Sequence, residues 1–216
     1  MASLTPLSGT LGHRRAAHLL RRTSFRYTKA KVDELAGMTA SQAAATLVVT
    51  PPLQMTQPVF DNPASTPVEN TTWLLPPGQS QPSDENTLRR YVMGWWVNEA
   101  LHDPGITQKM VLFLHQHMIV TANASGNAHF FDYLSLLRWA ALGNFKKLAT
   151  KMVTDNCMLL YLNNHQNTKN NPNENFAREF FELFTIGKGP QIGPEDYTNY
   201  TESDIALAAR VFTGFR

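Results

Sequence analysis

The sequence predicts an all-α fold: a multi-helix, orthogonal or bundle-like domain that carries a long proline-rich arm. Three observations predict it. Apolar residues recur at i, i+3, i+4 and i+7 through most of the chain, and strand-type alternation is nearly absent. Helix starts and stops alternate in order, with Asn, Thr or Asp ahead of an apolar run and Gly or Pro after it. The 216 residues are 43% hydrophobic, enough for a substantial core.

Taken in order, residues 12–22 read as a first helix, with Ala16, Ala17, Leu19 and Leu20 bracketed by Arg14, Arg15, Arg21 and Arg22. A second runs from Lys29 to Ala36 and stops at Gly37; Thr39 or Ser41 caps a third over Ala43 to Val48. Residues 1–49 thus form an N-terminal helical module. From 50 to 83 the character changes. Seven of the thirteen prolines, from Pro51 to Pro77, fall there, with Pro82 at the edge, so an extended arm is expected, pinned near Trp73. Residues 84–216 form the main helical domain, expected to be one continuous fold with 1–49. Its helices are Glu85 to His102, Thr107 to Val120, Asn127 to Leu142, Asn144 to Val153, Asp155 to Asn163, and a last one opened by Thr201.

Between the last two lies the most plainly written helix of the chain, Asn171 to Gly187. Asn171 suits the cap, Pro172 the first helical position, and Gly187 a left-handed stop. At 100° per residue, Phe176, Phe180, Leu183 and Phe184 share one side, while Glu174, Arg178, Glu179 and Glu182 share the other.

Composition excludes several classes. A net charge of +2, without a long Lys/Arg run, argues against a nucleic-acid partner. The single cysteine, Cys157, excludes an internal disulfide framework and a cysteine-based zinc site, and its apolar neighbours mark it as a small buried residue. No run of about 18 apolar residues is present, so no transmembrane segment is expected. Met1 to Gly12 is short, polar and broken by Pro6, unlike a signal peptide. No Gly-x-Ser-x-Gly elbow or phosphate-binding glycine loop occurs.

Four stretches carry a family resemblance. Ala16-Ala17-His18-Leu19-Leu20-Arg21-Arg22-Thr23-Ser24-Phe25 resembles the opening motif of the bacterial family called domain of unknown function 1800. Lys109 to His117 resembles its second motif, with Leu114 where the family usually has Trp. Asn173 to Gly187 is similar to the third and most specific motif, and Tyr200 to Phe215 to the fourth. The resemblance implies an α-helical, often exported bacterial protein of unsettled activity, with a sulfatase-like companion protein as a frequent genomic neighbour. It also implies a longer protein, of which this chain is the N-terminal half, an expectation that the abrupt apolar end at Phe215-Arg216 matches.

The chemistry-bearing residues gather in two of these motifs. His115 and His117 lie two apart, which in a helix sets their rings about 200° from one another. The bland reading is one satisfied core histidine and one at the surface. The functional reading is a divalent metal held by His115, His117 and Glu174, with Glu182, Glu179 and Arg178 as catalytic groups of a hydrolytic or oxidative enzyme. The bland reading of the glutamates and arginine is an i, i+4 Glu-Arg-Glu ladder on a solvated face. The alternative function is a non-catalytic envelope or assembly protein that binds a partner such as the sulfatase-like companion. His18 reads as a residue lining the first helix.

Overall fold

The computed structural model describes residues 7–49 and 84–215. The proline-rich arm expected over 50–83 lies outside the described residues. The all-α expectation holds. Helices α1 (Gly12–Thr23), α2 (Lys29–Ala36) and α3 (Ala40–Leu47) come first, followed by α4 (Glu85–His102), α5 (Thr107–His117), α6 (Asn127–Ala140), α7 (Phe145–Met152) and α8 (Asn156–Tyr161). A 3₁₀ turn (Asn164–Gln166) leads to α9 (Glu174–Glu179), which continues as a π-helical segment (Phe180–Thr185). A small antiparallel hairpin of β1 (Gln191–Gly193) and β2 (Asp196–Tyr197) precedes α10 (Glu202–Val211).

Local chemistry sets most boundaries. Thr39 accepts from Gln42 N while the Gln42 side chain accepts from Thr39 N, a capping box that starts α3 earlier than the apolar residues alone indicate. Asp84 caps α4, Asn144 α7, Asp155 α8 and Thr201 α10. α5 ends at His117, not Val120, yet Met118 and Val120 stay in the core. The hairpin is a departure from the sequence reading; Gly193-Pro194-Glu195 makes its turn, with Glu195 at φ 56°.

Two cores result. One lies under α1–α3 and contains Leu11, Ala16, Leu20, Leu35 and Leu47. The larger is built around α6, whose Phe130, Tyr133, Leu134 and Leu137 meet Leu88 and Val92 of α4, Val111 of α5, and the Phe176–Phe180–Phe184 row. The two are joined where α3 ends. Ile106 N donates to Leu47 O at 3.0 Å, and a Cβ on Gly105 would lie 2.3 Å from that same carbonyl oxygen.

The helix over 171–187 departs from expectation in an informative way. Its cap is Asn173, whose side chain accepts from Phe176 N, so Pro172 precedes the cap instead of following it. After Glu179 the turn widens: Ile186 N and Gly187 N both donate to Phe181 O, and Thr185 Oγ1 donates to Phe180 O. The wider turn keeps Phe176, Phe180 and Phe184 inside but rotates Leu183 outward, where it is 56% exposed.

The asparagine-rich stretch ahead of that helix is not a solvated loop. Asn164 and Asn167 are 0% and 1% exposed. Asn167 Nδ2 donates to Asn164 Oδ1 and to Ala209 O, and its Oδ1 accepts from Asn173 N, each at 2.9 Å. Asn164 Nδ2 donates to Phe212 O, and Gly214 N donates to Asn167 O. A satisfied polar network therefore fastens α8, α9 and the end of α10 together.

Candidate functional site

His115 and His117 leave α5 in different directions, as helical spacing requires. His115 packs edge-on against Trp96, Phe130 and Tyr133, with its Nδ1 2.9 Å from Tyr133 Oη. Tyr133 Oη gives its own proton to Met118 O at 2.8 Å, so the phenol oxygen must accept from His115 Nδ1–H. Burial lowers the His115 pKa below the ordinary imidazole value. The ring is thus neutral near pH 7, with its remaining lone pair on Nε2. His117 uses its other ring nitrogen: Phe184 O can only accept, so His117 Nε2–H donates to it at 3.0 Å. Phe184 O is one of the last carbonyls of the π segment, and His117 satisfies it from the neighbouring helix.

Arg178 and Glu182, on the polar side of α9 and its π-helical continuation, are spent on neighbours in the chain. Arg178 reaches across to α10 and donates to both carboxylate oxygens of Glu202 at 2.6 Å, in place of the i, i+4 ladder with Glu174 and Glu182. The pair is about three-quarters shielded on the Glu202 side, whose side chain is 26% exposed. The bidentate bond raises the guanidinium pKa and lowers that of Glu202. Glu182 accepts from the Tyr200 hydroxyl and has Lys188 Nζ at 3.4 Å, while Lys188 also sits 4.2 Å over the Tyr197 ring. Burial, then the bond to Glu182, raise the Tyr200 pKa above the ordinary phenol range. Glu174 remains exposed in the first turn, and Glu179 is half-buried.

Arg178 and Glu182 are therefore brought together, with Tyr200, Glu202 and Lys188 as partners that helical spacing could not disclose. His115 and His117 stand apart from one another. Among the described residues, no group of three or more His, Cys, Asp or Glu side chains is arranged to hold a metal ion. No described helix is long and apolar enough to cross a membrane.

The opening beside this network is an apolar groove of about 660 Å³. One wall is α7, through Phe145, Ala149 and Val153; Phe180 and Ile186 of the π segment form a second. Val211, Phe212 and Phe215 close the third side. His117 supports this wall from behind, its ring 5.6 Å from that of Phe145. Three threonines line the groove, and each turns its hydroxyl to a backbone carbonyl: Thr150 to Lys146 O, Thr154 to Lys151 O, Thr185 to Phe180 O. Their methyl groups are what remains to face outward, so the lining is more apolar than its composition reads. Of the lining residues, Lys146 alone is ionisable.

Two further titratable groups are structural. Cys157 is buried, accepts from Ser125 Oγ, and has its thiol pushed up to about 12 by burial, which leaves it an unreactive thiol at neutral pH. Asp155 caps α8 by accepting from Met158 N, and burial pushes its carboxyl up to about 6. A folded pKa raised from 3.8 means that the buried charge opposes folding; this cost is absent at low pH and grows as pH rises through about 6. Asp155→Asn keeps a capping oxygen without the charge. It is expected to stabilise the chain by about 1–2 kcal/mol at pH 8, with the difference vanishing near pH 4. Urea titrations of both proteins across that range check it.

The family model described as "Protein of unknown function (DUF1800)" matches residues 18–216. No curated protein and no solved structure matches the chain.

Proposed function

The chain belongs to the DUF1800 family, and from the surfaces described above we propose that it is a non-catalytic binding module whose groove docks an amphipathic helix of a partner protein. The observation that carries this reading is the groove itself: three apolar walls, threonine hydroxyls turned inward, and one cation, Lys146, in the lining. An apolar helix face fits such a lining, with i, i+3, i+4 anchors between the walls. The single positive charge matches a segment with an acidic flank. The sulfatase-like companion implied by the family resemblance is the first partner to test.

The metal-enzyme reading draws less support. It needs His115, His117 and Glu174 to converge, and the two histidines are committed to Tyr133 and Phe184 O while Glu174 stays exposed. Glu182 and Arg178, placed for catalysis on the same reading, hold Tyr200 and Glu202.

The test is titration of the purified companion into the chain and into two groove variants. Val211→Asp puts an unpaired carboxylate in the wall and is expected to weaken binding at least tenfold, while unfolding shifts little because Val211 is 71% exposed. Lys146→Glu is expected to weaken binding about fivefold at low salt and less at high salt. Equal affinity for wild type and both variants overturns the proposal.

A further inference from the structure

A second surface, independent of the groove, lies on α1. Arg14, Arg15, His18, Arg21 and Arg22 are all exposed. At 100° per residue they fall within about 120° of arc, as two rows of arginine about 10.5 Å long with His18 between them. The opposite side of α1, through Ala16, Leu20 and Thr23, is buried. The helix is therefore held flat against its module, with a convex cationic face outward.

Among the described residues, nothing accounts for that concentration of charge. Arg21 and Arg22 in the last turn suit the helix dipole, but Arg14 and Arg15 lie near its positive end, where no acidic residue occupies the first turn. The nearby carboxylates are occupied: Asp33 by Lys29 at 2.6 Å and His13 at 3.2 Å, Glu34 by Lys31 at 2.8 Å. None of the four arginines is in an ion pair among the described residues.

The C-terminal end of the face adds exposed aromatic rings. Phe25 and Tyr27 are 39% and 38% exposed, Lys109 Nζ lies 3.9 Å over the Phe25 ring, and Arg26 is exposed beside them. Aromatic rings next to cations are the pairing found where a protein meets the headgroup layer of a bilayer.

We propose that this face of α1, with Phe25 and Tyr27 at its edge, is a docking surface for an anionic phospholipid membrane. A bilayer meets a convex face tangentially, so it reaches the two arginine rows without meeting Asp33 and Glu34 on the flank. The chain's net charge of +2, without a long Lys/Arg run, disfavours a nucleic-acid duplex. Guanidinium groups suit phosphate headgroups because they donate in a planar fork. The apolar side of α1 stays in the module core, so binding is superficial and reversible, without insertion of the helix.

Co-sedimentation of the full chain with vesicles tests this. Phosphatidylcholine vesicles with about 30% phosphatidylglycerol are expected to bind the chain at about 0.1 M salt and to release it at about 0.5 M, whereas pure phosphatidylcholine is expected to bind little. Each exposed arginine contributes about fivefold to the partition, so Arg14→Gln/Arg21→Gln is expected to lower it at least tenfold with an unchanged melting temperature. Phe25→Ala/Tyr27→Ala is expected to reduce it by a smaller factor and leave its salt dependence intact. Equal binding to both vesicle types, or to wild type and the arginine variant, overturns the proposal. So does binding of duplex DNA, but not vesicles, that the same variant abolishes. Because the groove and this face share no residue, failure here leaves the helix-docking reading untouched.

Discussion

Asn167→Ala is expected to destabilise the chain by about 3–5 kcal/mol, and to lower its melting temperature by about 10 °C. The substitution removes little apolar surface. Its effect comes from what it leaves behind: Asn164 Oδ1, Ala209 O and Asn173 N each lose a partner at 2.9 Å, in a site that is 1% exposed. An unsatisfied buried group costs about 1–3 kcal/mol, and three in one network do not sum fully because the alanine vacates room for water. Asn167→Asp retains the acceptor for Asn173 N but loses both donations and buries a charge, so a loss of similar size is expected. Denaturant titration of the two variants against Lys169→Ala, an exposed neighbour in the same loop, measures the network.

Gly105→Ala is expected to cost about 2–4 kcal/mol and to loosen the junction between the two cores. Its Cβ would stand 2.3 Å from Leu47 O, and the obstruction is backbone, which no rotamer change relieves. To relieve the overlap, α3 must back away from the turn ahead of α5 and release the Ile106 N to Leu47 O bond. Asp103 resists that movement, since its carboxylate accepts from both Gly105 N and Gln108 N. Hydrogen exchange is expected to accelerate at Ile106 and through the last turn of α3, while amides of α6 keep their protection. Uniform acceleration through both cores contradicts a local junction defect.

The fold was legible because its information is local. Thr39, Asp84, Asn144, Asp155 and Thr201 cap helices within three residues of themselves, and Gly37 and Gly187 end them. The roughly opposed directions of His115 and His117 follow from helical spacing alone. Less legible was whatever depends on residues remote in sequence. No periodicity shows that Arg178 pairs with Glu202 twenty-four positions away, or that Tyr200 reaches Glu182. Leu183 was placed inside because the rule assumes 3.6 residues per turn, and the widened turn after Glu179 breaks it. Composition cannot distinguish a solvated amide from a satisfied buried one, so nothing in the asparagine-rich stretch marks Asn164 and Asn167 as buried. The groove was hidden for a similar reason: Thr150, Thr154 and Thr185 count as polar in sequence, and only their bonds to Lys146 O, Lys151 O and Phe180 O reveal a surface of methyl groups.

The most conspicuous polar residues of α5 and α9 hold helices together, while the open groove beside them is apolar. Calorimetric titration of the sulfatase-like companion into wild type and Val211→Asp, side by side, tests the proposed docking groove most directly. The account predicts a saturable isotherm for wild type and at least a tenfold loss for the variant at unchanged melting temperature. Identical isotherms, or no heat with wild type at about 100 μM of either protein, contradict it.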